Sequence, residues 1–184
     1  MSVVGSRTIG VMGSSCDEHE ELAGPLGELL ARLELNVLTG AGRGVMTSVS
    51  RAYVNARRGR GISIGIVPCE SVEQRSVPRH GSPNEFVDLP IYTHLPLSGV
   101  DGKDDLSRNH INVLSSDVVI ALPGSDGTAS EIELAVRYGK PAAAFAVSLD
   151  QVQHFNPTIP RILEIAEVES FLKQHIARTR GEIL

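Results

Sequence analysis

The stretch that most constrains the fold runs from Ser107 to Pro141, SRNHINVLSSDVVIALPGSDGTASEIELAVRYGKP. Its centre, Asp117 to Leu122, is an apolar run too short for a helix and rich in β-branched residues. That is the pattern of a strand buried on both faces. The run ends in Pro123-Gly124-Ser125-Asp126-Gly127-Thr128, small residues with free backbone N–H groups ahead of a helical pattern. A turn of this kind aims amides and the positive end of a helix dipole at one point, a seat for a phosphate or similar anion. Glu131 falls within about one turn of that seat. Arg108 precedes the strand and is expected to reach the same rim. An anion seat flanked by one carboxylate and one guanidinium is the first candidate for a functional site.

The rest of the chain alternates strand and helix patterns. Thr8 to Met12 reads as a first strand, followed by the small-residue turn Gly13-Ser14-Ser15 and by Asp17 to Glu21, an acidic run suited to the first turn of a helix. Leu22, Leu26, Leu29, Leu30 and Leu33 continue that helix at helical spacing. Pro25 inside it either kinks the helix or marks its real first turn. Asn36 to Thr39 is a second strand. It leads through Gly40-Ala41-Gly42-Arg43-Gly44 into a helix that reaches Arg57. G-x-G-x-G differs from the dinucleotide fingerprint G-x-G-x-x-G, so alone it fits a plain tight turn as well as a phosphate loop. Arg43 is accordingly either a phosphate contact or a solvated arginine.

Ile62 to Val67 is a third buried strand. The polar stretch from Glu70 to Glu85 is a long surface excursion, either a lid or binding loop or a tolerated insertion. Phe86 to Tyr92 carries another strand, which Pro90 either places at an edge or makes irregular. Leu97 to Asp105 is a flexible connection. After the central stretch come a buried strand from Ala142 to Val147, a connection from Gln151 to Pro160, a last short strand from Ile162 to Ala166 and a closing amphipathic helix from Val168 to Arg178.

Strands alternating with helices predict an α/β chain of Rossmann-like, doubly wound type. Its mainly parallel sheet carries helices on both faces, in one nucleotide- or phosphate-binding domain spanning residues 1–184. In such sheets ligands bind outside the C-terminal strand ends, where the strand order switches. The three glycine-bearing turns all follow strands and so open on one rim. The expected ligand contacts are Gly13 and Ser14 from the first turn, and Gly40, Gly42, Arg43 and Gly44 from the second. Arg108 and Asn109 come from the segment before the central strand, and Gly124, Ser125, Gly127, Thr128 and Glu131 from the third turn and its helix.

Composition narrows the partners. A net charge of −5 argues against duplex nucleic acid, whose phosphates need clustered Lys and Arg. The one basic cluster, Arg57-Arg58-Gly59-Arg60, sits where a helix should end, and reads as charge complementing its dipole in preference to a ligand patch. Cys16 and Cys69 lack metal or redox spacing, and the six histidines show no paired spacing, so no side-chain-bound metal is expected. Ser14 and Ser15 lack a nucleophile elbow. No apolar stretch is long enough to span a membrane, and MSVVGSRTIGVMG lacks a secretory core, so the expected location is the cytoplasm.

The ordered motifs IGVMG, LTGAGRGVM, SIGIVP and SSDVVIALPGSDGTASEIELA, the last preceded by an Arg-Asn pair and followed by GKP, resemble a known superfamily. It contains the LOG phosphoribohydrolases, long called lysine decarboxylases, and the molybdenum cofactor carrier proteins. The LOG pattern P-G-G-x-G-T-x-x-E, with an upstream arginine, is matched by Pro123, Gly124, Gly127, Thr128, Glu131 and Arg108. In those enzymes the arginine and glutamate act in cleaving a base from a nucleoside 5′-monophosphate, so the resemblance implies catalytic roles for Arg108 and Glu131 if this chain is an enzyme. Ser125 replaces the second glycine, Ser130 the first glutamate of a pair, Asn109 a lysine and Asn112 a methionine. The run RNHIN together with GTASEI is closer to the carriers, which hold a phosphate-bearing pterin as cargo. The resemblance therefore implies a carrier-like binding protein, with a phosphoribohydrolase acting on AMP or an N6-modified relative as the alternative. It also implies a homo-oligomer, dimer or tetramer, with a small phosphate-bearing molecule as partner.

Overall fold

The computed structural model of the chain describes residues 7–178. Seven parallel strands form one sheet: β1 (Thr8–Met12), β2 (Asn36–Thr39), β3 (Ser63–Val67), β4 (Leu89–Tyr92), β5 (Val118–Ala121), β6 (Ala142–Phe145) and β7 (Arg161–Ile162). Their order is β4-β3-β2-β1-β5-β6-β7. The helices are α1 (Glu20–Arg32), α2 (Val45–Ala56), α3 (Asn109–Leu114), α4 (Asp126–Arg137) and α5 (Ile165–Arg178). This is the Rossmann-like α/β architecture that the alternation of patterns predicted.

The central strand shows why its sequence is apolar without a break. Val118 and Ile120 join the core beneath α1, α2 and α5, whereas Val119 and Ala121 join a second core beneath α3 and α4. A one-residue slip would exchange the two sets, so both cores fix the register together. β5 pairs with β1 through Val11 opposite Ile120 and with β6 through Ile120 opposite Ala143. The chain winds from β1 outward to β4, then returns beside β1 to start β5 and winds toward the other edge. The C-terminal ends of β1 and β5 thus face connections that leave in opposite directions, and a crevice opens there.

Several element boundaries differ from those the sequence suggests. The expected strand from Ile162 to Ala166 is only Arg161–Ile162, and the last helix already begins at Ile165. Ile165, Val168 and Leu172 face the core at helical spacing, which overrides the β-like composition of the run. The edge strand pairs from Leu89 rather than Phe86, and Pro90 lies opposite Gly65 where no outer neighbour needs its missing N–H. The strand starting at Ala142 ends at Phe145. Pro25 lies inside α1, which starts at Glu20, so it does not open the helix. Both Pro25 and Glu21 are exposed, so the carbonyl freed by the proline meets water.

Among the described residues, no helix is long and apolar enough to cross a membrane, and no group of His, Cys, Asp and Glu is arranged to hold a metal ion. Cys16 and Cys69 are free. Residues 1–6, part of the N-terminal segment read above for a leader, lie outside the described residues.

Candidate ligand-binding site

The three glycine turns are tied together by the backbone of one residue. Ser14 donates its N–H to the Pro123 carbonyl at 3.1 Å, and its own carbonyl accepts from Val45 N–H at 3.0 Å. The turns after β1, β2 and β5 are thereby drawn into contact, and this explains two of their glycines. A Cβ on Gly44, whose φ is +63°, would lie 2.4 Å from the Ser14 carbonyl oxygen, and one on Gly124 would lie 3.0 Å from Ser14 N and 2.1 Å from Thr128 Oγ1. The Ser14 hydroxyl is used locally, accepting from the N–H groups of Cys16 and Asp17. Ser14, Gly44 and Gly124 therefore stand behind the wall of the site and hold it together.

In front of them lies a cavity of about 400 Å³ at the C-terminal ends of the strands, within the range of small-molecule sites. Gly13, Gly40, Gly42 and Arg43 line it from the first two turns. Arg108 and Asn109 line it from the start of α3, and Ser125, Gly127, Thr128 and Glu131 from the start of α4. The first-turn amides of α4 have no carbonyl one turn earlier to bond, which leaves Gly127 and Thr128 as donors toward the cavity. Ser125 is the cap of this helix and its side chain makes no capping bond. Asp126 is exposed in the first turn and lies outside the cavity.

Arg108 is not the surface arginine that Asp104 and Asp105 nearby in sequence might suggest. It is only 9% exposed, and its Nε and Nη1 are buried without a hydrogen-bond partner. Its guanidinium leans across the sheet onto the β2 turn, where a Cβ on Gly40 would lie 2.1 Å from Nη1. Only glycine leaves room for it. The next residue, Ala41, holds a left-handed φ of 61°, and its methyl fills space left by Gly65. For a non-glycine residue that conformation costs about 1–2 kcal/mol, strain of the kind that clusters at functional sites.

Glu131 is 8% exposed and accepts a hydrogen bond from Asn112 Nδ2 at 2.7 Å. Asn112 sits behind the wall with its Oδ1 unpartnered, and its carbonyl accepts from Ser116 Oγ. Burial raises the Glu131 carboxyl above the usual carboxylate range, against the opposing pull of the Arg108 charge and of the Asn112 bond. Burial likewise lowers the Arg108 guanidinium, with Glu131 opposing and the charge of Arg79 adding to the effect. The two groups feel each other without forming an ion pair, so each remains available to something in the cavity.

The long polar loop is part of the wall rather than a remote insertion. Arg79, His80, Gly81 and Ser82 line the cavity, as do Ser98 and Gly99 from the next connection. Arg79 donates to Ser98 Oγ at 3.0 Å and to the Pro96 carbonyl, which joins the two loops. Asn84 bonds the carbonyls of Ala41 and Gly42 and pins the loop to the β2 turn. Sequence reasoning missed Arg79. The available signal was topological: this loop leaves the C-terminal end of β3 and must open on the same rim as the glycine turns. Val11, Met12, Ser15, Met46 and Pro68 were also missed, and they supply the mostly apolar floor. His110 is packed instead, within 2.6 Å of the Tyr138 hydroxyl and near the Lys103 and Asp104 carbonyls. Ser130, at the position of the family's first glutamate, donates to the carbonyls of Asp126 and Gly99 and so ties α4 to the loop above it.

Comparison with known proteins agrees with this architecture. The SLOG cluster4 family matches residues 6–172. An uncharacterized protein of Archaeoglobus fulgidus is 31% identical over 138 residues, 74% of this chain and 78% of its own length. Among solved structures, the molybdenum cofactor binding protein of the phototrophic bacterium Rippkaea orientalis is 30% identical with a TM-score of 0.71, covering 94% of this chain and 99% of that one. The Moco carrier protein of Chlamydomonas reinhardtii is 27% identical, also with a TM-score of 0.71, over 95% of this chain and 99% of that one.

Proposed function

The chain belongs to the SLOG cluster4 family, and from that premise we propose that it is a carrier-like binding protein whose cargo is the molybdenum cofactor or a closely similar phosphate-bearing pterin. The observation that carries this reading is the lined cavity at the strand switch point, in a chain whose fold follows a molybdenum cofactor binding protein over nearly its whole length. The residues fit such a cargo. The amides of Gly127 and Thr128 receive its phosphate. The buried, unpartnered nitrogens of Arg108 need an anion or a planar acceptor. Glu131 and Asn109 offer hydrogen-bonding partners for the ring edge, and Met12 and Met46 supply a polarisable wall against its face. Expression in a host that makes the cofactor, followed by purification and assay for released pterin, tests the proposal. Retention of stoichiometric pterin is expected. A pterin-free protein that also fails to take up the cofactor in vitro overturns it.

A second reading, N-glycosidic hydrolysis of AMP or an N6-modified nucleoside 5′-monophosphate, draws support from Glu131. It is a carboxyl facing the same cavity, raised by burial above its ordinary value, and a carboxyl is one of the groups that serve as general acid or base. Against it stands Ser130, which spends its hydroxyl on holding a loop where those enzymes carry a further glutamate. Incubation with AMP decides between them. No free adenine is expected, whereas adenine release abolished by Glu131→Ala would establish the hydrolase.

A further inference from the structure

The charged side chains lining the cavity are Arg43, Arg79, Arg108 and Glu131, three cations against one carboxylate, with His80 beside them. This local excess is opposite in sign to the net charge of −5 of the chain. Several arginines elsewhere are matched by a carboxylate. Arg7, Arg32, Arg51 and Arg57 each form an ion pair with an Asp or Glu. Among the described residues, none of the three cavity arginines does. Arg108 is nine-tenths buried with two nitrogens unpartnered. Arg79 is fixed by a hydroxyl and a carbonyl, which orient its guanidinium without neutralising it. Arg43 rests against Gly81 of the same loop, where a Cβ would lie 3.2 Å from its Nη2. A buried guanidinium beside like charges is unfavourable unless an anion joins it.

The position of this cluster matters as much as its charge. Arg108 leans on Gly40 at the end of β2, and Arg43 follows in the same turn, whereas Arg79 reaches from the loop after β3 to Ser98 and Pro96, in the connection that Ser130 ties to α4. The amide seat of α4 stands at the end of β5. β2 and β5 are separated in the sheet by β1 alone, so the two places lie two strand spacings apart, about 10 Å. A phosphate on the α4 amides lies on the far side of β1 from the turn that carries Gly40 and Arg43.

We propose that the cavity contains a second anion seat, formed by Arg108 and Arg43 on the β2 side and flanked by Arg79 from the loop after β3, and that its ligand carries two anionic groups about 10 Å apart. This rests on the reading of the cavity as a ligand site. It adds that the end of the ligand remote from the phosphate is itself an oxyanion, whether a second phosphate, a carboxylate or a metal-bound oxo group. It also gives the loop from Glu70 to Glu85 a role as the element that closes over that end and selects for it.

The test uses the full-length protein and linear α,ω-alkanediol bisphosphates of increasing chain length, titrated by calorimetry against inorganic phosphate. Linking two groups that each have a seat raises affinity only when the linker spans both, so an optimum in chain length is expected near a 10 Å separation, with affinity about 10²-fold above that of inorganic phosphate. Arg43→Gln and Arg79→Gln are each expected to reduce the advantage of the best bisphosphate about tenfold, with melting curves confirming that both variants fold. Arg43 is exposed and forms no ion pair among the described residues, so its variant is the safer of the two. Affinity that does not vary with chain length, or an optimum that both variants leave unchanged, overturns the second seat. These outcomes are separate from pterin retention. A length optimum in a protein that holds no pterin would sink the carrier reading and leave the two-seat cavity standing.

Discussion

Arg57 and Arg108 lie near opposite ends of the sheet and meet opposite fates. Arg57 follows α2, stacks over the Tyr53 ring and bonds the Asp88 carboxylate through both terminal nitrogens. Burial alone would raise the Asp88 carboxyl, but Arg57 and the Ser63 amide hold it below its usual range. Arg57 and Asp88 each have their counterpart. Arg108 is far more deeply buried, yet no carboxylate pairs with it, and the nearest like charge, Arg79, is held in place by neutral groups. One arginine completes the fold, while the other is kept incomplete by it. An unmatched buried cation is costly in the free protein, so the contrast singles out Arg108 as the residue to test.

The sharpest way to break this comparison is Arg108→Met. If the guanidinium serves the ligand, anion affinity falls by about 10²–10³-fold, the usual consequence of removing a buried charged contact. The unliganded protein becomes more stable by about 1–3 kcal/mol, because an unmatched buried charge is gone. Calorimetric binding and thermal unfolding of the same preparation check both. A variant that loses stability would make Arg108 structural, like Arg57. Gly40→Ala comes next. The new methyl occupies the guanidinium's place, and the expected result is about 1–3 kcal/mol of destabilisation from overpacking together with weakened binding.

Glu131→Gln separates the two regions by pH. A carboxyl whose folded pKa is raised contributes full stability below its unfolded pKa, about 4.3, and that contribution is lost as pH rises through the folded value. The variant should therefore match the parent near pH 4 and exceed it by about 1–3 kcal/mol toward pH 8, as read from denaturant midpoints. Asp88→Asn should show the smallest effect and the reverse sign. Its lowered pKa contributes stability that is present above the unfolded pKa and is lost as pH falls through the folded one. The variant loses about 0.5–1 kcal/mol at neutral pH and a smaller amount in acid. If the two carboxyl variants shared one pH dependence, the contrast between a matched and an unmatched region would fail.

The alternation of apolar strands with helical spacing was enough to set a parallel, doubly wound sheet, because a strand covered on both faces must be apolar throughout and most of its crossovers are helices that cover those faces. The three small-residue turns also gave the rim away, since every parallel strand delivers its following turn to the same edge. Much of the candidate wall was therefore readable residue by residue, from Gly13 to Glu131. What the spacing of Ser107 to Pro141 left open was which turn Arg108 meets. It was expected beside the α4 seat that follows it in sequence, yet the guanidinium crosses to Gly40, which is far away in the chain and two strands away in space. Arg79 was equally invisible, because a loop residue shows its role only once its strand has a place in the sheet. The pattern of residues determines the secondary elements and the edge on which their turns collect. Only the tertiary arrangement decides which charges at that edge find partners and which are left for a ligand, since burial and pairing belong to the packed chain and not to any local run of it.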